Sequence, residues 1–169
     1  MRTFRDATPA DAAMLCDAER DVVRQYDGLL VSEPDEVFEA LFLQRIRMLV
    51  DGRGKYLIAQ VDGLPVGHAC LWPMPLRRIA HVLRLDMCVH VGHWGQGHGE
   101  ALLRALLDWA ARESSARKVE LLVRSENAPA VALYRKLGFA EEGRLRERVR
   151  LPGGRFVDDI SMALMLPQR

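Results

Sequence analysis

Two segments near the N-terminus carry the polar and apolar pattern of capped helices. Thr8-Pro9-Ala10-Asp11 places a hydroxyl before a proline and an acid in the first turn, which is typical of a helix start. Ser32-Glu33-Pro34-Asp35 repeats this signal, and an apolar stripe at helical spacing follows it. The stripe consists of Phe38, Leu41, Phe42, Ile46 and Leu49. We therefore predict a short strand over Arg2–Arg5, then two helices joined by a loop over 25–36 of the kind that lines sites.

The middle of the chain alternates between strand and helix patterns. Lys55–Val61 and Pro65–Trp72 are apolar-rich, and Asp62-Gly63 between them predicts a hairpin turn. A longer strand is expected from about Ile79 to Val91. After it come a glycine-rich loop and a helix to about Ser114, whose apolar face includes Leu102, Leu103, Leu106, Leu107, Trp109 and Ala110.

The last third continues with a strand over Lys118–Arg124 and a short helix from Asn127 to Leu137, bounded by a capping asparagine and Gly138. Three more strands are predicted, over Phe139–Glu142, Arg144–Leu151 and Phe156–Leu166. The order is β-α-α-β-β-β-α-β-α-β-β. It indicates an α/β (α+β) fold with a mixed sheet, in one domain spanning 1–169.

Composition narrows the class of protein. Apolar residues make up 49% of the 169 residues and charged residues 28%, which are ordinary globular values. A formal net charge of +1 does not favour nucleic acid as a partner. The cysteines are Cys16, Cys70 and Cys88, with no CxxC, so we expect no disulfide framework and no thiolate zinc site. With no signal-peptide pattern and no apolar run near the roughly 20 residues of a membrane span, we predict a soluble, cytoplasmic protein.

The segment from Val89 to Leu103 carries the most chemistry. A strand ends, a loop with three glycines in five residues follows, and a helix begins. Glycine allows close approach of the backbone to a ligand, and the start of a helix presents unpaired N–H groups, so a pyrophosphate is the expected ligand. The dinucleotide motif GxGxxG fails, because Glu100 stands where a glycine is needed, and no GK[ST] occurs. Taken alone, the loop is also compatible with a tight structural turn.

A second motif removes this ambiguity. Residues 127–139 read Asn-Ala-Pro-Ala-Val-Ala-Leu-Tyr-Arg-Lys-Leu-Gly-Phe, an N-x-x-A-x-x-L-Y-x-x-x-G-F element. With the loop 94–99, it resembles the two hallmark motifs of the GNAT superfamily of N-acetyltransferases, and the predicted element order is similar to that fold along essentially the whole chain. The resemblance implies a mostly antiparallel sheet flanked by helices. Trp94 departs from the pattern, because it occupies the position of the family's Arg or Gln.

The resemblance also implies a set of residues around acetyl-CoA as cosubstrate. The backbone of Met87, Cys88 and Val89 would pair with the pantetheine arm. The loop would cradle the pyrophosphate through Trp94, Gly95, Gln96, Gly97, His98, Gly99 and Glu100. Asn127 would hydrogen-bond the pantetheine or hold the adjacent loop. Tyr134 would lie beside the sulfur.

In the direct transfer typical of the family, an amine attacks the thioester carbonyl. We expect a backbone N–H near Val89 to stabilise the oxyanion and Tyr134 to protonate the leaving thiolate. The base is less defined, because Leu83, Leu85 and Leu122 are apolar where many relatives place Glu or His. The candidates are Asp86, His81, Glu120 and Glu33, with a water chain as an alternative.

The remaining polar residues leave the acceptor open. Loop acids Asp27, Glu33, Asp35 and Glu36, with Asp158 and Asp159, would favour a cationic amine. An alternating row, Arg144, Arg146, Arg148 and Arg150, would favour an amino-acid carboxylate or be an exposed strand face. His90, His93 and His98 lack a convincing further ligand, so no metal is expected. Cys88 is expected to be a small apolar residue.

We predict an N-acetyltransferase acting on a small amine, an amino acid or a peptide N-terminus, with a homodimer as an option. No nucleic acid and no membrane are expected as partners. A degenerate acyl-CoA-binding sensor and a structural or nucleic-acid-binding domain are the alternatives.

Overall fold

The computed structural model describes residues 1–26, 28–49 and 51–167. In these ranges the elements follow the predicted order. They are β1 (Arg2–Asp6), α1 (Ala12–Gln25), α2 (Glu39–Met48), β2 (Lys55–Val61), β3 (Leu64–Pro73), β4 (Val82–Val89), α3 (His98–Glu113), β5 (Lys118–Arg124), α4 (Ala128–Lys136), β6 (Ala140–Arg150) and β7 (Phe156–Met165). The α/β class and the sequence of elements are thereby confirmed.

The start of the second helix was predicted wrongly. Pro34–Glu36 forms a separate 3-10 turn, and Glu33 and Glu36 cap that turn. The chain then runs extended through Val37 and Phe38, so α2 begins only at Glu39. Val37 is buried, and its burial on the core holds the chain out of the helical conformation. Phe38 and Leu41, two members of the predicted stripe, are consequently exposed, whereas Phe42 and Ile46 are buried.

Two strand predictions also change at their ends. The long strand expected from Ile79 begins only at Val82, because Arg77–Ile79 forms a 3-10 turn. The strands expected over Phe139–Glu142 and Arg144–Leu151 are a single strand, β6, with breaks in register at Glu141/Gly143 and Leu145/Val149. Extra residues at such bulges bend a strand without ending it. The strand therefore continues through Gly143, which separates the two predicted strands.

One seven-stranded sheet has the order β1-β2-β3-β4-β5-β7-β6. All neighbours are antiparallel except β4 and β5. These two parallel strands pair only where Val82–Arg84 lies beside Lys118–Glu120. On its other edge, β4 stays paired with β3 as far as Val89. The second half of β4 therefore has a free edge towards β5, at the point where the strands separate.

The sheet buries a different core on each face. On one face, Leu83 and Leu85 pack in a cluster with Leu102 and Leu106 of α3 and Val131 of α4. On the other face, a second cluster of buried side chains joins α1 and α2 to β2 and β3. Its members include Leu15, Phe42, Ile58 and Cys70. Burying such aliphatic side chains stabilises a fold by roughly 1.5–3 kcal/mol each.

Side chains alternate along a strand, so Asp86 faces the side opposite Leu83 and Leu85. Its contact with Trp72 and its register partner Cys70 place it on the α1/α2 side of the sheet. The helices of the described ranges include none that combines the length and the apolar character required to cross a membrane.

Candidate active site

The glycine loop delivers the start of α3 to the free edge of β4. Gly97 is the N-cap residue of α3 and has a left-handed backbone, with φ of 75°, a conformation that favours glycine. The first N–H groups of the helix, from His98 onward, have no partner inside the helix. Gly99 lies so close to β4 that an added Cβ would stand 3.2 Å from Cγ2 of Val89 and 3.4 Å from Cε of Met87. The loop thus presents backbone donors beside the separated strands, as an anion site requires.

Trp94 has a structural role in this loop. Its indole Nε1 donates a hydrogen bond of 2.7 Å to the carbonyl of Val89. Its ring lies against Tyr26, at the end of α1, with 3.9 Å between the ring centroids. The side chain that replaces the family's cation therefore fastens the loop to β4 and α1.

A cation reaches the loop from another strand. Arg2 of β1 donates from Nη2 to the carbonyl of Gln96 at 3.1 Å and from Nε to Nδ1 of His98 at 3.1 Å. Because Nδ1 of His98 accepts, the proton of the neutral ring is on Nε2, which faces Oε1 of Gln96 at 3.3 Å. Burial, then Arg2, lowers the pKa of His98 and keeps the ring neutral. Arg2 forms no ion pair within the described ranges, so its charge stays available beside the loop.

Tyr134 is buried in the core cluster that packs α3 and α4 on the sheet, with its ring 5.7 Å from that of Phe139. Its hydroxyl forms no hydrogen bond to the part of the chain that the structure describes. Burial, and then the charge of Asp86, raise the pKa of the phenol. Tyr134 therefore keeps its proton at neutral pH, and the phenol and the Asp86 carboxylate are close enough to influence each other.

Two further predicted cofactor residues have internal partners. Oδ1 of Asn127 accepts from the N–H of Ala130 at 3.2 Å and so caps α4. The carboxylate of Glu100 pairs with Arg104 at 2.9 Å and with Lys136 at 2.7 Å, which lowers the pKa of Glu100. The first contact caps the start of α4, and the second joins the start of α3 to the end of α4. Both leave the backbone N–H of Glu100 for a ligand.

Asp86 has an environment that the sequence did not reveal. Its Oδ2 accepts a 2.8 Å hydrogen bond from the indole of Trp72. Burial alone lowers the pKa of Arg45 of α2, but the interactions with nearby groups, of which Asp86 is the largest and Glu19 is a second carboxylate, raise it above its ordinary value. Arg45 forms no ion pair of 4 Å or less to any described residue. A partly buried guanidinium with no ion pair to the described residues thus lies within electrostatic reach of two carboxylates on the α1/α2 side.

The three histidines of the loop region, His90, His93 and His98, do not converge on one point. His90 points inward and its Nε2 lies 3.0 Å from Nδ1 of His68, whereas His93 and His98 face each other with ring centroids 6.1 Å apart. Within residues 1–26, 28–49 and 51–167, no three His, Cys, Asp or Glu side chains come together in a way that could hold a metal ion. His68 and Glu19 carried no sequence signal, because neither belongs to a motif.

Most of the predicted acceptor-binding charges are engaged elsewhere. Asp159 is buried against Arg124, and Asp158 binds Arg144 at 3.1 Å. Glu33 and Glu36 cap their own 3-10 turn, and Asp27 lies outside the described residues. The arginine row is interrupted, because Glu147 has a left-handed φ of 50° inside the break in register of β6.

The other base candidates divide by position. Glu120 lies where β5 pairs with β4 and forms a 2.8 Å ion pair with Lys118. His81 precedes β4 and is exposed. Of the base candidates in the described ranges, Asp86 is the one on the free half of β4, with Tyr134 within electrostatic reach.

Comparison with known proteins agrees with this geometry. Residues 17–139 match the model of the acetyltransferase (GNAT) family. Over 109 residues the chain is 33% identical to the L-amino acid N-acetyltransferase AaaT of Escherichia coli, covering 64% of this chain and 67% of that protein. It is 29% identical over 145 residues to the phosphinothricin N-acetyltransferase of Streptomyces viridochromogenes, covering 85% and 76%.

The fold is also found among solved structures. The structure of yncA from Salmonella typhimurium, solved with its cofactor acetyl-CoA, superposes with a TM-score of 0.88 over 100% of this chain and 96% of that one, at 22% identity. The family match over most of the chain, the order of the sheet and the two motifs lead to the same result. The chain belongs to the acetyltransferase (GNAT) family, and it is an acetyl-CoA-dependent N-acetyltransferase.

Proposed function

We propose that this enzyme transfers the acetyl group of acetyl-CoA to the primary amine of a small amino-acid-like acceptor, by direct attack in a ternary complex. The observation that carries the proposal is the place where β4 and β5 separate. The glycine loop packs against Val89 and Met87 at this free edge, Asp86 lies on the same half of β4, and the phenol of Tyr134 is within electrostatic reach of the Asp86 carboxylate. The whole chain acts as one acetyltransferase domain.

In this proposal the cofactor lies along the free edge of β4. The backbone of Met87, Cys88 and Val89 pairs with the pantetheine, although the Val89 carbonyl is already bound by Trp94. The N–H groups from Gly95 to Glu100 hold the pyrophosphate, aided by the positive end of α3. Arg2 supplies the positive charge that Trp94 cannot.

Tyr134 serves as the general acid. The thiol of the leaving CoA has a pKa of about 8.5, so a phenol of higher pKa holds its proton until the thiolate forms. The raised pKa of Tyr134 keeps the hydroxyl protonated at neutral pH. Because Asp86 faces the α1/α2 side, its carboxylate is placed to bind the ammonium of an acceptor that approaches from that side.

The charges of the α1/α2 side support an amino acid as the acceptor. This side carries the Arg45 guanidinium and, within its electrostatic reach, the carboxylates of Asp86 and Glu19, so an anion and a cation both have a partner there. A zwitterion matches this alternation, with its carboxylate on Arg45 and its ammonium towards Asp86. The similarity to AaaT, an L-amino acid N-acetyltransferase, and to phosphinothricin N-acetyltransferase supports an acceptor of this class.

The test is release of free CoA thiol from acetyl-CoA with paired acceptors, each an amino acid and the amine left when its carboxyl group is removed. We expect turnover, with lower KM for the amino acids. Arg45→Met should raise KM for each amino acid by about tenfold or more, the worth of a charge-assisted hydrogen bond, and leave KM for the matching amine unchanged.

Arg47→Met is the matched control, because Arg47 is an exposed cation on the same helix. Equal effects of Arg45→Met on both members of a pair would contradict the role of Arg45 as a carboxylate partner. Tight acetyl-CoA binding with no turnover on any amine would instead favour an acyl-CoA-binding sensor.

A further inference from the structure

A chain of three contacting side chains, Glu19, His68 and His90, lies on the α1/α2 side of β3 and β4. Nε2 of His68 is 3.5 Å from Oε2 of Glu19 on α1. Nδ1 of His68 is 3.0 Å from Nε2 of His90, and Nδ1 of His90 is 3.2 Å from the carbonyl of Pro65. His68 is 3% exposed and His90 is 7% exposed, so water does not replace these contacts.

The hydrogen bonds determine where the protons of this chain are. A carbonyl oxygen only accepts, so Nδ1 of His90 must carry a proton. Burial, and then His68, lower the pKa of His90 to about 4, so the ring is neutral and its Nε2 accepts. His68 must therefore donate from Nδ1. The Nε2 atom of a neutral His68 is then bare, and it faces the carboxylate of Glu19.

A bare ring nitrogen next to a carboxylate is an unsatisfied arrangement that one proton completes. A proton on Nε2 converts His68 to an imidazolium with two donors, one towards His90 and one towards Glu19. Glu19 has no other side-chain partner in the described ranges. The pair therefore forms a place where one proton can be held and released.

The neighbouring ionisable groups indicate that the Glu19–His68 pair is the proton acceptor of the buried cluster. The ionisable groups around it are Cys16 and Glu19 on α1, Arg45 on α2, Tyr56 on β2, Cys70 on β3, Asp86 and Cys88 on β4, and His90 and His93 after β4. Burial raises the pKa of Tyr56, Cys70 and Cys88, so these three remain neutral. The Arg45 guanidinium balances part of the charge of Glu19.

The position is also suitable. His68 is the register partner of Cys88, which lies on the free half of β4 beside Asp86 and Val89. Its side chain lies on the α1/α2 side, which is the side of the acceptor in the proposed function. At the other end, His90 lines a surface pocket with Met14, Ala18, Pro65 and His93, which connects the chain to solvent.

We propose that Glu19 and His68 form a proton relay that accepts, through water, the proton released by the acceptor ammonium. This inference rests on the proposed function. The N–H bond of the ammonium breaks, its electron pair stays on nitrogen for the attack, and the proton bonds to Nε2 of His68. After attack, a second proton leaves the nitrogen as Tyr134 protonates the thiolate and is itself reprotonated. The imidazolium then releases its proton to solvent, which accounts for the one proton produced per turnover.

The experiment compares His68→Asn and Glu19→Gln with the wild type. Asparagine keeps an N–H near the place of Nδ1 for His90 and removes the Nε2 site, and glutamine keeps the shape of Glu19 and removes its charge. At pH 7 we expect kcat/KM for an α-amino acceptor to fall about tenfold or more. The loss should shrink above about pH 8, where an α-amine is neutral without help.

A second acceptor separates catalysis from packing. The second acceptor is an amine with a trifluoromethyl group on the carbon that bears the nitrogen, so that the amine is weakly basic and already neutral at pH 7. With this acceptor both variants should match the wild type. Asp17→Asn, at an exposed acid of the same helix paired with Arg20, should match the wild type at every pH.

A loss that is equal at every pH and with both acceptors would mean a packing role and overturn the relay, and so would unchanged rates. Glu19 lies at the margin of the buried cluster, so Glu19→Gln decides the matter where His68→Asn does not fold. A wild-type enzyme that releases no CoA with any amine would refute the proposed function itself, which is a different result.

Discussion

At the scale of single residues, position decides what a side chain can do. Tyr134 and Tyr56 are both buried, and burial raises the pKa of both phenols. Tyr134 lies in the last turn of α4 with Asp86 within electrostatic reach, whereas Tyr56 packs in the α1/α2 core near His68. The same chemistry thus gives an acid at the proposed site in one case and a core residue in the other.

Replacing Tyr134 with Phe removes the proposed acid and keeps the ring. We expect kcat to fall by about a hundredfold, the usual effect of losing a general acid, because the thiolate then leaves unprotonated. KM for acetyl-CoA should change less than about twofold. Steady-state kinetics with release of CoA thiol measures both.

Tyr26→Phe is the control, because it keeps the ring that lies against Trp94. A Tyr134→Phe enzyme with wild-type kcat would remove Tyr134 as the acid.

At the scale of elements, the site depends on how a loop, a helix and a strand end meet. Gly97 turns the chain with a left-handed φ, and Gly99 brings the start of α3 against Val89 and Met87 of β4. Trp94 and Arg2 then fasten the same loop from either side. The backbone donors are therefore held in place by contacts with β4 and with β1.

Gly99→Ala tests this close approach. The new Cβ would stand 3.2 Å from Cγ2 of Val89 and 3.4 Å from Cε of Met87, so either these side chains or the helix start must move by a few tenths of an ångström. We expect KM for acetyl-CoA to rise about tenfold, because misplaced donors weaken the hold on the pyrophosphate. Titration of acetyl-CoA by calorimetry provides an independent measurement.

Gly143→Ala is the matched control, because an added Cβ there meets no atom within 4 Å and φ is ordinary. Equal affinities for acetyl-CoA in both variants and the wild type would show that the close packing at Gly99 is not needed for binding.

At the scale of the whole molecule, the β6–β7 hairpin is held to the rest of the sheet by charge as well as by pairing. Arg124 of β5 and Asp159 of β7 are register partners and form a buried ion pair. Burial, and then the neighbouring Arg148, lower the pKa of Arg124. On the far side, Gly28 after α1 packs against Leu151 of the hairpin turn. The hairpin is thus attached to β5 by an ion pair and to the segment after α1 by packing.

Asp159→Asn should reduce the free energy of unfolding by about 3–5 kcal/mol, because it leaves the charge of Arg124 buried without a counterion. Asp158→Asn, at a more exposed carboxylate that pairs with Arg144, should reduce the free energy of unfolding far less, because water screens a surface pair. Urea unfolding followed by circular dichroism measures both. Similar small losses for the two variants would mean that the buried pair contributes no more than a surface pair.

The sequence by itself determined the order of the elements, the family and the cofactor motifs. Hydrophobic period and turn residues act locally, so Asp62-Gly63 predicts its hairpin and Asn127 its helix cap without knowledge of the rest. Helix starts were less certain, because the burial of Val37 overrides the capping signal before it. What a residue does with its nearest neighbours along the chain was readable from the sequence.

Only the tertiary structure decided which distant groups meet. The side of the sheet that Asp86 faces depends on register with β3, and Arg2 reaches a loop more than 90 residues further along the chain. Glu19, His68 and His90 come from a helix, a strand and a loop, and no spacing in the sequence predicts their contact. These contacts depend on how the helices pack on the two faces of the sheet. That packing is determined by many core residues together, so no short motif predicts it.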